Sequence, residues 1–125
     1  MELVASRLTR NILTAALDVH RALGPGLLES SYRACLEHQM RLDGLEVRRE
    51  VPIPVQFRGL RLDCSYRADL IVNGTVLVEL KAVERLLPIH EAQTLTYLKL
   101  SGLRVALLLN FNSTSLKHGV RRFVR

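Results

Sequence analysis

Asp69, Glu79 and Lys81 are the side chains whose types and spacing could best do chemistry. They lie in two short apolar segments, residues 66–72 and 75–81. Strand side chains alternate faces with a period of two. The even positions Ala68, Leu70, Val72, Val76, Val78, Leu80 and Ala82 are apolar, and the odd positions carry Arg67, Asp69, Asn73, Thr75, Glu79 and Lys81. A hairpin with this pattern has one core face and one face on which two carboxylates and an ammonium gather at one end. Neighbouring carboxylates drive each other toward protonation unless a cation joins them. With waters and a substrate phosphate, the pair suits Mg2+ (or Mn2+), a hard ion that takes oxygen ligands and keeps several waters. The backbone carbonyl of Leu80 is a candidate third ligand. Lys81 follows about 6–7 Å further along the same face. From there it can polarise an attacking water or stabilise charge on a phosphoryl oxygen. These are the parts that metal-assisted phosphodiester hydrolysis needs. The plain alternative is a set of solvated or mutually paired charges, which are common on exposed sheets and worth little.

The turn between the segments decides whether the acids meet. A two-residue Asn73-Gly74 loop would pair Val72 with Thr75 and mix both faces, which burial forbids. A three-residue loop with Gly74 in the left-handed region, followed by a bulge, keeps even opposite even and sets Asp69 beside Glu79 and Lys81.

The flanking elements follow from periodicity. Val4, Leu8, Ile12, Ala16, Val19 and Leu23 predict a helix over residues 3–23, stopped by Gly24-Pro25-Gly26. A second helix runs over residues 27–42 with Leu28, Tyr32, Cys35, Leu36 and Met40 inward. Residues 47–55 read as a strand confined by Pro52 and Pro54 to an edge or a bulge, and a short strand follows over residues 60–64. Pro88 suits the first turn of a helix that ends near Gly102. The apolar run at 104–111 predicts a strand covered on both faces, and residues 120–124 a last short element. Strand, helix and buried strand in succession imply a crossover connection. The whole predicts one three-layer α/β domain over 1–125, a mixed central sheet flanked by helices, with the helix at 1–23 packed on the core. Charges that point into a covered layer need a partner or a purpose, which favours a site.

Two further residues point the same way. Glu29 projects onto the edge of the buried stripe of the second helix, where it either pairs with Arg33 or reaches the site. Gln93 lies within a stripe formed by Ile89, Thr96, Tyr97 and Leu100, and a buried amide must bond either core backbone or a ligand. Tyr97 is either a core aromatic or a group that stacks on a base or contacts phosphate. His90 is either a neighbour of Gln93 in the site or a capping residue. His20, His38 and His118 are expected on surfaces.

The blocks also resemble a known family. Gly26-Leu27-Leu28-Glu29-Ser30-Ser31-Tyr32 is similar to the signature of the GxxExxY protein family. Arg67-Ala68-Asp69-Leu70, Glu79-Leu80-Lys81 and Leu108-Leu109-Asn110-Phe111 resemble its later blocks. That family is assigned to the PD-(D/E)XK nuclease-like superfamily, whose fold is restriction-endonuclease-like. The Gln93–Tyr97 spacing is similar to the QxxxY motif of RecB-like nucleases. The resemblance implies Asp69 and Glu79 as metal ligands, Lys81 as the catalytic lysine, Glu29 as the helix carboxylate near the metal and Gln93 as an auxiliary polar residue. Ala68 stands where the superfamily name has proline, a position that binds no metal.

Composition bounds the partners. A formal charge of +6 favours polyanions, and Arg48, Arg49, Arg58, Arg61 and Arg67 cluster around the middle strands. Arg48, Arg49, Arg67 and Tyr97 are the candidate nucleic-acid contacts, with DNA the expected polymer. The longest apolar run is too short to cross a membrane. With no secretory block, and with Cys35 and Cys64 outside any CxxC spacing, a reducing cytoplasm with free thiols is expected. The expected function is a metal-dependent nuclease, or alternatively a nuclease-fold module that binds nucleic acid or a protein partner with little or no turnover. The chain has no added DNA-reading domain, so a homodimer or a protein partner would supply specificity.

Overall fold

Apolar spacing of three and four residues draws the first helix onto the sheet. α1 (Ser6–Leu23) buries Ile12, Ala15, Ala16 and Val19. The computed structural model describes residues 5–63 and 66–125, so Val4 and Cys64 lie outside the described residues. α2 (Glu29–Leu42) buries Tyr32, Leu36 and Met40. Two positions expected on its inner stripe do not belong there. Leu28 is the residue before the first turn and is 74% exposed, and the Cys35 thiol is exposed too. His20 corrects another expectation, since it is buried, with Nε2 2.7 Å from the Ser113 carbonyl oxygen.

The strand expected over 47–55 is two strands. Pro52 and Pro54 cannot donate to a ladder, and the chain divides there into β1 (Val47–Pro52) and β2 (Val55–Phe57). β2 forms a separate two-stranded ribbon with β3 (Leu60–Leu62). β4 (Arg67–Val72) and β5 (Val76–Lys81) form the central hairpin. α3 (Pro88–Ser101) then crosses over to β6 (Val105–Asn110), which pairs parallel to β5. After a short 3-10 turn at Leu116–Gly119, β7 (Val120–Val124) closes the order β1-β4-β5-β6-β7. The sheet is mixed, and β1 is an edge strand as expected.

Two apolar clusters make the three layers. Leu70, Val72, Val78, Leu80, Leu107 and Leu109 pack with α1 and α2. Ile71, Leu77 and Ala106 pack with Tyr97 and Leu98 of α3. β6 is buried along its whole length, as a strand covered on both faces must be. The hairpin pairs Val72 with Val76 and Leu70 with Val78, so even does oppose even across a three-residue loop. Gly74 is left-handed, and so is Asn73, whose backbone and side chain both bond to Glu46. Ala68 departs from the pattern by joining the α3 cluster although it has the parity of Leu70. The cause is local. Opposite Asp69, Glu50 of β1 sits at φ 50° and the ladder skips one pair without changing register.

Candidate active site

The β4–β5 ladder ends where the acids begin. The last paired residues are Leu70 and Val78, and the next pair would be Asp69 with Glu79. In place of ladder bonds, the Asp69 N–H donates to Glu79 Oε1 at 2.9 Å and the Leu80 N–H donates to Asp69 Oδ2 at 2.9 Å. Each carboxylate thus stands in for a carbonyl of its own strand, and backbone polar groups stay satisfied while the strands part. The two acids face each other across the gap, at the end of β5 where α3 is about to start. Glu79 is only 4% exposed. Burial and the adjacent Asp69 carboxylate push its carboxyl up to about 8, against the pull of the Asp69 N–H and of Lys81.

α2 brings a second acid and a cation. Glu29 opens this helix, and its carboxyl is raised by burial and then by Asp69, while Lys81, Arg33 and His90 act in the opposite sense. These charges therefore share one neighbourhood. The segment before α2 is pinned from both sides. The Tyr32 hydroxyl donates to the Gly24 carbonyl at 2.5 Å and accepts from the Leu27 N–H at 3.1 Å. Its ring stacks on Phe111 at 4.9 Å, and Asn112 Oδ1 accepts from the Gly26 N–H. The spacing from Gly26 through Glu29 to Tyr32 is thus a device for fixing the start of the helix that carries Glu29.

Arg33 does not pair with Glu29. Its guanidinium reaches Asp69 Oδ1 at 3.2 Å and Glu50 Oε1 at 3.5 Å. Lys81 is half-buried and makes no ion pair with a described carboxylate. Two apposed acids, one of them buried and hard to ionise, with a lysine two residues on, form a compact charged cluster whose chemistry suits a cation or a charged oxygen.

A family model described as the PD-(D/E)XK nuclease superfamily matches residues 6–123. The chain belongs to that superfamily. Searches of curated proteins and of solved structures each returned no match.

The remaining candidates of this PD-(D/E)XK protein take varied positions. Gln93 is half-buried and its Nε2 donates to the Tyr97 hydroxyl at 3.2 Å. Tyr97 is buried in the α3 cluster, and burial and the charge of Glu79 raise its phenol. The inward stripe of α3 is Thr94, Tyr97 and Leu98, so Ile89 and Thr96, expected inside, are exposed. His90 accepts the Leu87 N–H at 3.0 Å and caps α3. Arg67 leans on the Glu50 carbonyl. Arg48 and Arg49 are successive strand residues and part company. Arg48 pairs opposite Ile71 of the α3 layer, whereas Arg49 lies 4.0 Å from Glu37 of α2. Among the described residues no three His, Cys, Asp or Glu side chains group as metal ligands, so an ion here would rest on two carboxylates, backbone and water.

Arg33 and Asn110 were not among the expected residues. Arg33 gives a signal only as the i+4 partner of Glu29. Asn110 is 1% exposed, and its side chain binds both the N–H and the carbonyl of Val83, at 3.0 and 2.9 Å. It holds the chain that leaves Lys81. An asparagine ending an apolar strand is a visible anomaly, because a buried amide needs partners.

Proposed function

We propose that the protein is a Mg2+- or Mn2+-dependent nuclease of the GxxExxY type that hydrolyses phosphodiester bonds, with DNA as the polymer. The observation that carries this reading is the opened ladder at Asp69 and Glu79, beside the Lys81 ammonium, which acts on both Glu79 and Glu29 without a direct ion pair to a described carboxylate. The donor set fits a hard divalent ion. Asp69 and Glu79 would hold it, joined by the Leu80 carbonyl, which lies on the same strand edge as the N–H that Asp69 binds. A bound ion supplies Lewis acidity, which makes a water nucleophilic near neutral pH and offsets phosphate charge.

The protein's own groups do the rest. Glu79, buried beside Asp69, holds a proton more readily than an ordinary carboxylate, and a cation bound there would compete with that proton. Lys81 orients the attacking water and stabilises charge gathering on a phosphoryl oxygen. Glu29, with its raised carboxyl at the start of α2, can hold a proton at the edge of the centre. Arg33 steadies Asp69. The net charge of +6 favours the approach of a phosphate backbone. No helix among the described residues is long and apolar enough to cross a membrane, in keeping with a proposed cytoplasmic setting.

The test is cleavage of plasmid, linear duplex and single-stranded DNA in Mg2+ and in Mn2+. Loss of activity in Glu79→Ala and Lys81→Ala is expected. No cleavage of any of these substrates, or cleavage that survives Lys81→Ala, overturns the reading. One observation favours a second reading, a nucleic-acid-binding module without turnover, acting as a homodimer or with a protein partner. Arg33 already supplies a cation to Asp69. A salt-sensitive gel shift without cleavage, with no calorimetric metal binding, would select it.

A further inference from the structure

A groove runs along α3, with Val55 of β2 and Tyr66 on its other wall. Val55, Tyr66, Ile89, Ala92, Tyr97 and Leu100 line it, and its volume is about 400 Å³. Its wall is apolar and includes two aromatic rings. Tyr66 is 46% exposed and stands 6.2 Å from Tyr97, tilted by 55°. The groove neighbours the carboxylate centre: Tyr97 of its wall packs in the α3 cluster with Ala68, the residue before Asp69, and its ring centre stands 6.2 Å from that of Tyr66. Gln93 also lines it, so a half-exposed amide supplies a polar contact inside an apolar trough.

Charge narrows the choice of occupant. Among the described residues, no acidic one lines the groove. Arg67 follows Tyr66 directly and is exposed, and Arg58 projects at the turn of the ribbon, its guanidinium 5.2 Å from the centre of the Phe57 ring. An apolar, uncharged floor on a chain of net charge +6 complements a strand whose flat bases lie inward and whose phosphates lie outward. In a duplex the base faces are hidden in the stack and only edges show. An aromatic floor can be used only by bases that are already unpaired.

We propose that this groove is a stacking site for unpaired nucleobases, so that the strand delivered to Asp69 and Glu79 is single-stranded or frayed. The inference rests on the proposed phosphodiesterase reading of the carboxylate centre and names its substrate class. Tyr66 is the base platform and Gln93 meets a base edge. Tyr66 acts in binding and takes no part in the chemistry.

The experiment measures binding by the full chain in EDTA, so that cleavage cannot interfere. The probes are an oligothymidylate, an abasic strand of equal length and charge, and a blunt duplex. The chain has no tryptophan and three tyrosines, so quenching of tyrosine emission reports stacking. The base-bearing strand is expected to bind about tenfold more tightly than the abasic one, or better, and alone to quench. Tyr66→Ala should erase that difference, and Tyr66→Phe should keep it. Equal affinity for abasic and base-bearing strands overturns the proposal. So does a duplex that depends equally on Tyr66, or a wild-type dimer that Tyr66→Ala converts to monomer. Base-dependent binding without cleavage in Mg2+ or Mn2+ leaves the groove standing and removes the nuclease reading. Cleavage with no preference for bases does the reverse.

Discussion

Replacing Glu79 by glutamine should stabilise the protein in the absence of metal, by an amount that grows with pH. Burial and Asp69 raise the Glu79 carboxyl from an ordinary 4.5 to about 8. An acid whose pKa is higher in the folded state takes up a proton on folding between those two values. Its penalty is therefore small below the unfolded pKa, grows as pH rises, and is fully developed above the folded pKa. At pH 7 the distance from 4.5 converts, at about 1.4 kcal/mol per pH unit, to about 3 kcal/mol. Glutamine needs no proton, and its carbonyl can still accept the Asp69 N–H. Glu79→Gln should thus gain about 2–3 kcal/mol at pH 7, or roughly 5–10 °C in Tm, and little at about pH 5. The assay is thermal and urea unfolding in EDTA at about pH 5, 7 and 8.5, comparing the two proteins so that Glu29, also raised, cancels. Added Mg2+ or Mn2+ competes with the proton, so it should stabilise the wild type more at high pH than at low, and the variant hardly at all. A difference between the two proteins that is flat with pH, or a variant less stable at pH 7, would refute the placement of a buried, proton-holding acid at this position.

Three other changes separate structure from chemistry. Lys81→Ala should reduce cleavage by about a hundredfold or more, yet leave unfolding within about 0.5 kcal/mol, since no described ion pair is lost; nicking kinetics and urea melts on one preparation check both. Arg33→Gln should cost about 1–2 kcal/mol in EDTA by taking the guanidinium from Asp69. Saturating Mg2+ should restore most of it, as seen by thermal unfolding with and without metal. Asn110→Leu strands both backbone groups of Val83 and should cost about 2–4 kcal/mol by urea unfolding.

Much of this was legible because burial enforces parity. The even apolar and odd charged positions of the hairpin determine which pairing the three-residue loop makes, and so place Asp69 beside Glu79. α3 and β6 were equally plain from Pro88, Gly102 and an unbroken apolar run. What failed depended on contacts between distant elements. The buried stripe of α3 lies one position from the one that periodicity predicts, because the helix is apolar on more than one side and spacing alone cannot choose among them. Arg33 had an obvious local partner in Glu29, and only the fold shows that Asp69 and Glu50 compete for it and win. Leu28 read as core because it is leucine, yet it precedes the first turn of α2 and lies outside the packed stripe. Arg48 and Arg49 looked like one basic patch, but adjacent residues of a strand point to opposite faces.

The opened ladder also explains why this corner of the sheet departs from ideal structure in several ways at once. Glu50 is left-handed, the β1–β4 pairing skips one position, Ala68 changes layers, and the β4–β5 bonds end, all around Asp69. A pair of apolar β-formers at 69 and 79 would let both ladders continue and would leave no buried acid to protonate. Local rules are broken together at one place, while the rest of the sheet obeys them, which is the pattern expected where function rather than stability has selected the residues. The strands separate by just enough for two carboxylates to replace the missing carbonyls, so backbone groups find partners and much of the cost falls on Glu79. On the proposed reading, a cation entering that gap would offset the charge that burial and Asp69 make costly on Glu79, so the opening that weakens the fold would favour the ion.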